Sequence, residues 1–279
     1  MRHHWFIGDI HGCYDALMAL EERLARVSER QGATPFFVSV GDLVDRGPHS
    51  RQVVEHFRRG SEAGTHAALL GNHEEMMLRC LYDSVPEMFD GIAMSPWVVT
   101  GSLYRKQGPR SSWLSSRESS LLTRLMWLAQ GGTPTLRSWG IDPHRADTWE
   151  LPPEDLAFLC RLPLLFECEH AIATHALVDA DDFVVLQAAH ELAATEELEM
   201  GEMLRDCIQG AMWNRTLPES APDARPHVSG HTPLRRVRRY PGRSLMRIDS
   251  GCYLGWRLSA WSPELDRVVS VPGQNALPR

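Results

Sequence analysis

Three short stretches place carboxylates, imidazoles and an amide directly after apolar runs: GDIHG at 8–12, GDLVDRG at 41–47 and GNHEE at 71–75. In the first, Asp9 and His11 are two residues apart, and in an extended loop side chains at that spacing point the same way. A carboxylate and an imidazole facing one centre suit a divalent transition metal. Asp42 holds the matching place in the second stretch and Asn72 in the third, while His175 in ATHA and His231 in SGHT close later apolar runs. Two aspartates, one asparagine and three histidines are too many for one tetrahedral zinc. They are a natural number for two ions sharing a bridging carboxylate. Two such ions, about 3.5–4 Å apart, clamp the attacking and leaving oxygens of an in-line phosphoryl transfer. A lone GDxHG or GNH reads as a turn; the ordered set, each member straight after an apolar run, is what specifies a site.

The elements between these stretches have a rhythm that brings them together. HHWFI reads as a buried strand, and Leu17, Leu20, Leu24 and Val27 then give a helix with one apolar stripe over 13–30. PFFVSV (35–40) is a second strand followed by a helix over 50–60; HAALL (66–70) is a third, followed by EEMMLRCL. Strand, charged loop, helix, three times over, predicts parallel strands with crossover helices, whose ligands gather at the carboxyl ends of the strands. Further helices are expected over 119–130, after PPED at 152–155, and over the acidic 187–209. LLFEC and HAIAT are strands, and from about 226 the segments HVSGHTP, SLMRIDSG, GWRLSAW and DRVVSV predict a predominantly antiparallel finish. The whole is a mixed α/β (α+β) fold, expected as a single domain over 1–279 with an inserted segment at 84–118.

Bulk properties narrow the class. The chain has 279 residues, 43% hydrophobic, enough for a substantial core. Its formal net charge of −7 argues against a stable nucleic-acid partner, since phosphate contacts need a basic surface. An anionic substrate would then need local positive charge from arginine or metal. The cysteines at 13, 80, 160, 168, 207 and 252 have no CxxC spacing and read as reduced thiols. No apolar run approaches the roughly 20 residues that span a bilayer, and the first motif begins at once, without an apolar leader. A cytoplasmic protein without a membrane partner is expected; nothing in the sequence specifies an oligomer.

GDIHG, GDLVDRG, GNHEE, THA and GHTP, in that order, resemble the calcineurin-like metallophosphoesterases. Within them the chain is most similar to the serine/threonine phosphoprotein phosphatase branch, in the compact form of the bacteriophage lambda enzyme. WLAQGG at 127–132 and MWNR at 212–215 are lesser matches. The resemblance implies a layered α/β/β/α sandwich with the metal site at the carboxyl ends of the central strands. It implies that Asp9 and His11 hold one metal, that Asp42 bridges, and that Asn72, His175 and His231 hold the second. It makes His73 the general acid, Asp45 its orienting partner, and Arg46 and Arg215 the phosphate-binding arginines. The cofactors it implies are two divalent ions, expected as Mn²⁺, with Fe, Zn, Ni or Mg also suited to such ligands. The implied chemistry is attack on phosphorus by a metal-bound hydroxide, with His73 protonating the leaving oxygen and no phosphoenzyme.

One residue departs from the pattern. The protein phosphatase branch carries arginine immediately before GNH, and here that residue is Leu70. Leucine there resembles the symmetrical dinucleoside-tetraphosphate hydrolases, which in turn tend to lack the counterpart of Asp45. The substrate expected is therefore a phosphate monoester on serine or threonine, with dual specificity open, in a phosphoprotein or phosphopeptide. A nucleotide polyphosphate such as diadenosine tetraphosphate is the alternative, and a non-catalytic scaffold of the same fold the distant one. The segment 84–118 is expected as a cap beside the metal centre or a surface elaboration, and LRRVRRYPGR (234–243) as a solvated hairpin.

Overall fold

Trp5, Phe6 and Ile7 show how the layers are made. All three are fully buried, yet Trp5 and Ile7 pack with the helices while Phe6 packs against a second sheet, the period-two alternation of a strand buried on both faces. The structure is a computed structural model and describes residues 1–98, 116–193 and 201–274. The first sheet contains β1 (Arg2–Ile7), β2 (Thr34–Ser39), β3 (His66–Ala68), β9 (Arg257–Ser262) and β10 (Arg267–Pro272), in the order β10-β9-β1-β2-β3. The second contains β4 (Leu165–Cys168), β5 (Ala171–Thr174), β6 (His227–Ser229), β7 (Arg238–Tyr240) and β8 (Leu245–Arg247), in the order β4-β5-β6-β8-β7.

Phe6, Val38, Val40 and Leu69 from the first sheet meet Ala171, Ala173, Val228, Met246 and Ile248 from the second in one buried layer. The outer face of the first sheet carries α1 (Tyr14–Glu29) and α2 (Ser50–Glu62), and α3 (Asn72–Ser84) follows β3. Then come α4 (Ser116–Trp127), α5 (Thr133–Ser138), α6 (Pro153–Cys160), α7 (Ala180–Ala193) and α8 (Glu202–Trp213). Residues of α7 and α8, Phe183 and Leu186 with Cys207 and Ile208, join Ile172 in the helix-side core. The result is the mixed, layered sandwich expected from the sequence.

Two expectations need correction. The strands from 226 onward do not make one antiparallel finish. β6 runs parallel to β5, and β8 runs parallel to β6, while β9 and β10 cross to the first sheet and pair antiparallel with β1 and with each other. Both sheets therefore hold three parallel strands: β1, β2 and β3 in one, β5, β6 and β8 in the other. The expected helix over 187–209 is two, α7 and α8, with 194–200 outside the described residues.

Of the inserted segment 84–118, residues 99–115 lie outside the described residues. The part before them is anchored: Phe89, Trp97 and Val98 are buried in the main core, and the Trp97 indole donates to the Leu162 carbonyl at 2.8 Å. The basic stretch forms β7 and a short turn, and β7 pairs antiparallel with β8 just beyond it, with Arg238 and Arg239 exposed and Arg239 paired to Asp266 at 2.7 Å. All six cysteines are free. Among the described residues no helix is long and apolar enough to cross a membrane.

Candidate metal and phosphate site

The parallel strands of both sheets end at one rim. Asp9 and His11 follow β1, Asp42 follows β2, and Asn72 opens α3 after β3; His175 follows β5 and His231 follows β6. All six are buried. The loops brace one another through the backbone: the amides of Ile10 and His11 both donate to the Asp42 carbonyl, at 3.1 and 2.8 Å. Holding so many side chains inward bends the chain hard. His11, Asp42, Asp45, Arg46 and His231 all have positive φ, between 47° and 72°, a region that non-glycine residues rarely occupy. Such strain persists where surrounding structure over-determines it, and it clusters at functional sites. A glycine is required where loops touch: a Cβ on Gly230 would collide with the Asp9 carboxylate.

Two imidazoles are set with a lone pair inward. His11 Nδ1 donates to the Val44 carbonyl and His175 Nδ1 to the Val40 carbonyl, both at 2.8 Å. Each bond puts the proton on Nδ1 and leaves Nε2 as an acceptor. Those two Nε2 atoms face opposite oxygens of Asp42, each at 3.4 Å. Asn72 Oδ1 lies 2.9 Å from both His175 Nε2 and His231 Nδ1. Burial, then the charge of Arg46, pushes His11 well below the ordinary imidazole range. Burial lowers His175 as well, and burial, then His175, takes His231 down to about 3. The carboxyls divide: burial, then Asp249 and Asp42, raises Asp9, and burial takes Asp249 up to about 6, whereas at Asp42 burial is outweighed by the charges of His175, His73, His11 and Arg46, which hold it below the ordinary carboxylate range.

Neutral imidazoles and carboxylates turned toward each other repel unless a cation lies between them. Two groups of ligand atoms gather here within 4.8 Å, His11 with Asp42 and His73, and Asp9 with Asp42 and His175, and Asp42 belongs to both; with Asn72 and His231 beside them, such a donor set would suit two divalent ions.

His73 differs from the other three. Burial works against its charge, but Asp42 and a 2.7 Å hydrogen bond from Nδ1 to Asp45 outweigh it, and its pKa is raised. It is the one imidazole of the rim held toward the protonated form, as a proton donor requires. Asp45 is itself fixed by the Trp127 indole at 3.0 Å and by the Thr135 hydroxyl at 2.8 Å. Arg46 spreads its guanidinium over the rim, 2.6 Å from His11 Nε2 and 2.8 Å from His73 Nε2, and stacks on Tyr253 at 4.2 Å. Its fork thus covers both halves of the site, a geometry suited to phosphate oxygens. Arg215 is exposed just beyond α8, and its charge contributes to lowering His231. The Leu70 side chain is buried, so no cation enters from that position.

Several site residues escaped the sequence reading. Glu74 binds four backbone amides: Asp42 and Gly71 on one oxygen, at 2.9 and 3.0 Å, and Leu43 and Val44 on the other, at 2.7 and 3.0 Å. It holds the second loop against the third and was quoted in GNHEE without a role. Trp127 belongs to WLAQGG, where Gly131 also accepts the Arg46 amide at 3.1 Å; the motif was visible and its contacts were not. Asp249 follows β8 just as Asp9 follows β1. Had that strand been read as parallel, its loop would have been expected at the rim.

Known proteins match this chain closely enough to compare. The model of the calcineurin-like phosphoesterase family matches residues 3–248. A serine/threonine-protein phosphatase 1 from Salmonella typhimurium is 29% identical, over 92% of this chain and 90% of its own. A bis(5'-nucleosyl)-tetraphosphatase PrpE, asymmetrical, from Bacillus velezensis is 25% identical over 95% of this chain and 90% of its own. Among solved structures, the cold-active protein-tyrosine phosphatase of a psychrophilic Shewanella sp. has a TM-score of 0.55 at 16% identity. It covers 98% of this chain and 81% of its own, a likeness of fold.

Proposed function

The chain belongs to the calcineurin-like phosphoesterases, and on that premise we propose that it hydrolyses phosphate monoesters on serine or threonine side chains. It is a metal-dependent phosphoester hydrolase. The observation that carries the finer reading is the pair of His73 and Asp45 at 2.7 Å, beside Arg46 at 2.8 Å. A protonated imidazole next to a phosphate-gripping fork suits expulsion of an alkoxide, a poor leaving group that needs a proton. Two divalent ions, held by Asp9, His11, Asp42, Asn72, His175 and His231, supply water activation and charge neutralisation when bound. Arg46 binds the equatorial oxygens, with Tyr253 behind it fixing the plane of the guanidinium. Once phosphate draws the Arg46 guanidinium away from His73 Nε2, that nitrogen can carry a proton and deliver it to the departing oxygen, and Asp45 keeps the resulting imidazole oriented and ready to be recharged. Arg215 extends the positive surface outward along the path of a peptide.

Hydrolysis of a nucleotide polyphosphate is the second reading, and one feature favours it. A pocket of about 140 Å³ lined by Met76, Arg79, Met126, Trp127 and Trp213 adjoins the rim, with the Trp213 ring 6.1 Å from that of His231. An indole face there can stack a nucleobase. Rates of the Mn²⁺-loaded protein on a phosphoserine peptide, a phosphotyrosine peptide and diadenosine tetraphosphate decide. The monoester reading expects kcat/KM at least about tenfold higher on the phosphoserine peptide than on the dinucleotide, about 1.4 kcal/mol in barrier. The reverse order transfers the assignment to polyphosphate.

A further inference from the structure

Glu21, His56 and His66 come from three different elements, α1, α2 and the first residue of β3, and gather their polar atoms within 4.8 Å of one another. They lie away from the rim: β3 begins at His66 and delivers Asn72 beyond its other end. Glu21 is only 8% exposed, although it projects from a surface helix. His56 Nε2 lies 2.9 Å from Glu21 Oε2, and His66 Nε2 lies 3.4 Å from both Glu21 oxygens. Glu21 Oε1 is buried and has no hydrogen-bond partner.

The protonation of His66 can be followed through its neighbour. The Thr65 hydroxyl donates its hydrogen to the Gly60 carbonyl at 3.1 Å, so its oxygen accepts from His66 Nδ1 at 2.8 Å. With the proton on Nδ1, Nε2 turns a lone pair toward the Glu21 carboxylate. This is the arrangement of a metal-ligating histidine, whose second nitrogen is committed to an outer partner. The 3.4 Å separation is long for a hydrogen bond to a charged group. It matches the roughly 3.3 Å expected between neighbouring N and O ligands about 2.0–2.2 Å from a tetrahedral zinc. The His66 ring has room because residue 60 is glycine; a Cβ there would collide with it. The ring edges also open on a groove of about 320 Å³ lined by Tyr14, Gln52, Glu55 and Arg59, which leaves a fourth position for water.

We propose that Glu21, His56 and His66 form a binding site for one divalent transition ion, separate from the catalytic rim and of the kind that takes zinc. Two imidazoles and one carboxylate are a known zinc donor set, and imidazole favours zinc over magnesium or calcium. The ion would tie α1, α2 and β3 together, the three elements whose rim-side loops or ends present Asp9, Asp42 and Asn72. The inference does not depend on which phosphate ester is the substrate.

Counting zinc tests it. Protein stripped with chelator, reloaded with Zn²⁺ and desalted should hold one equivalent more per chain than His56→Gln or His66→Gln treated alike, by inductively coupled plasma mass spectrometry. Both variants, reloaded with Mn²⁺, should keep turnover of p-nitrophenyl phosphate, which shows that they are folded. Equal zinc content in all three overturns the site. Should either variant fail to fold, the unmodified chain answers. Zn²⁺ should suppress diethyl pyrocarbonate labelling of His56 and His66 several-fold, and labelling unchanged by Zn²⁺ overturns the proposal, leaving an imidazole–carboxylate pairing.

Discussion

The rim and the Glu21 cluster use the same residue types at opposite ends of β3, and they are built in opposite ways. At the rim the loops after β1, β2 and β6 are short and strained, the first two are welded together by backbone hydrogen bonds, and two rings, His11 and His175, are locked by main-chain carbonyls. In the other cluster Glu21 and His56 project from regular helices, and only His66 is fixed by an outer partner, Thr65. The first arrangement holds charge-bearing atoms in one geometry before anything binds, which is what electrostatic catalysis requires. The second can relax into a salt link when empty. The difference teaches where function tolerates change: the rim has backbone cost built in at His11, Asp42 and His231, the distal cluster none at Glu21, His56 or His66.

The comparison can be broken most forcefully at His73. His73→Asn is expected to lower kcat on a phosphoserine peptide by about 10²–10⁴-fold, the usual worth of a general acid. The loss on p-nitrophenyl phosphate should be much smaller, since that leaving group needs little help. Equal losses on both would remove His73 as the acid. Asp45→Asn should act through the same ring. Because Asp45 helps raise the His73 pKa, and the acid works only while protonated, the alkaline limb of the pH–rate profile should move to lower pH. A limb that stays put would leave Asp45 a structural residue.

Glu74→Gln comes next. The amide replaces one acceptor by a donor facing two backbone N–H groups, so unfolding stability should fall by about 2 kcal/mol, read as a lower urea midpoint. A neutral result would mean that the second loop holds its shape without the carboxylate.

The smallest effect is expected at the distal cluster under chelator. Glu21→Gln should cost about 1 kcal/mol at pH 7. Burial alone would raise this carboxyl, but above all the hydrogen bond from His56 at 2.9 Å holds it below its ordinary value. A depressed carboxyl stabilises the fold above its unfolded pKa, about 4.3, and loses that contribution as pH falls through the folded value. The gap between wild type and variant should therefore narrow below about pH 4, and a gap constant with pH would remove Glu21 from the ion pair.

How much was legible follows from the same contrast. Asp9, His11, Asp42, Asn72 and His73 were readable because each stands a few residues past an apolar run in a glycine-marked loop, so local pattern and tertiary position coincide. His175 and His231 were readable only as the fourth and fifth members of that order. Asp249 was not, because three-residue strands such as β6 and β8 carry no signal for parallel or antiparallel pairing. Glu21, His56 and His66 were invisible for another reason: a helix face meets a strand end at a spacing that tertiary packing alone creates. Trp127 and Thr135 reach Asp45 across more than eighty residues of chain, a distance over which periodicity says nothing.

The position of β1 has a consequence for how the chain reaches this state. Arg2–Ile7 lies in the middle of its sheet, and one of its edges is closed only by β9, from the far end of the fold, with Phe6 opposite Trp261 and Ile7 opposite Ala260. Until β9 has been synthesised, an apolar strand whose neighbour is still missing must wait with unpaired amides. Such pairing between remote segments slows folding and leaves the nascent chain open to aggregation and to chaperone capture. The arrangement that buries Asp9 at the end of β1 thus makes the protein's yield in the cell depend on β9 and the β10 strand that pairs with it.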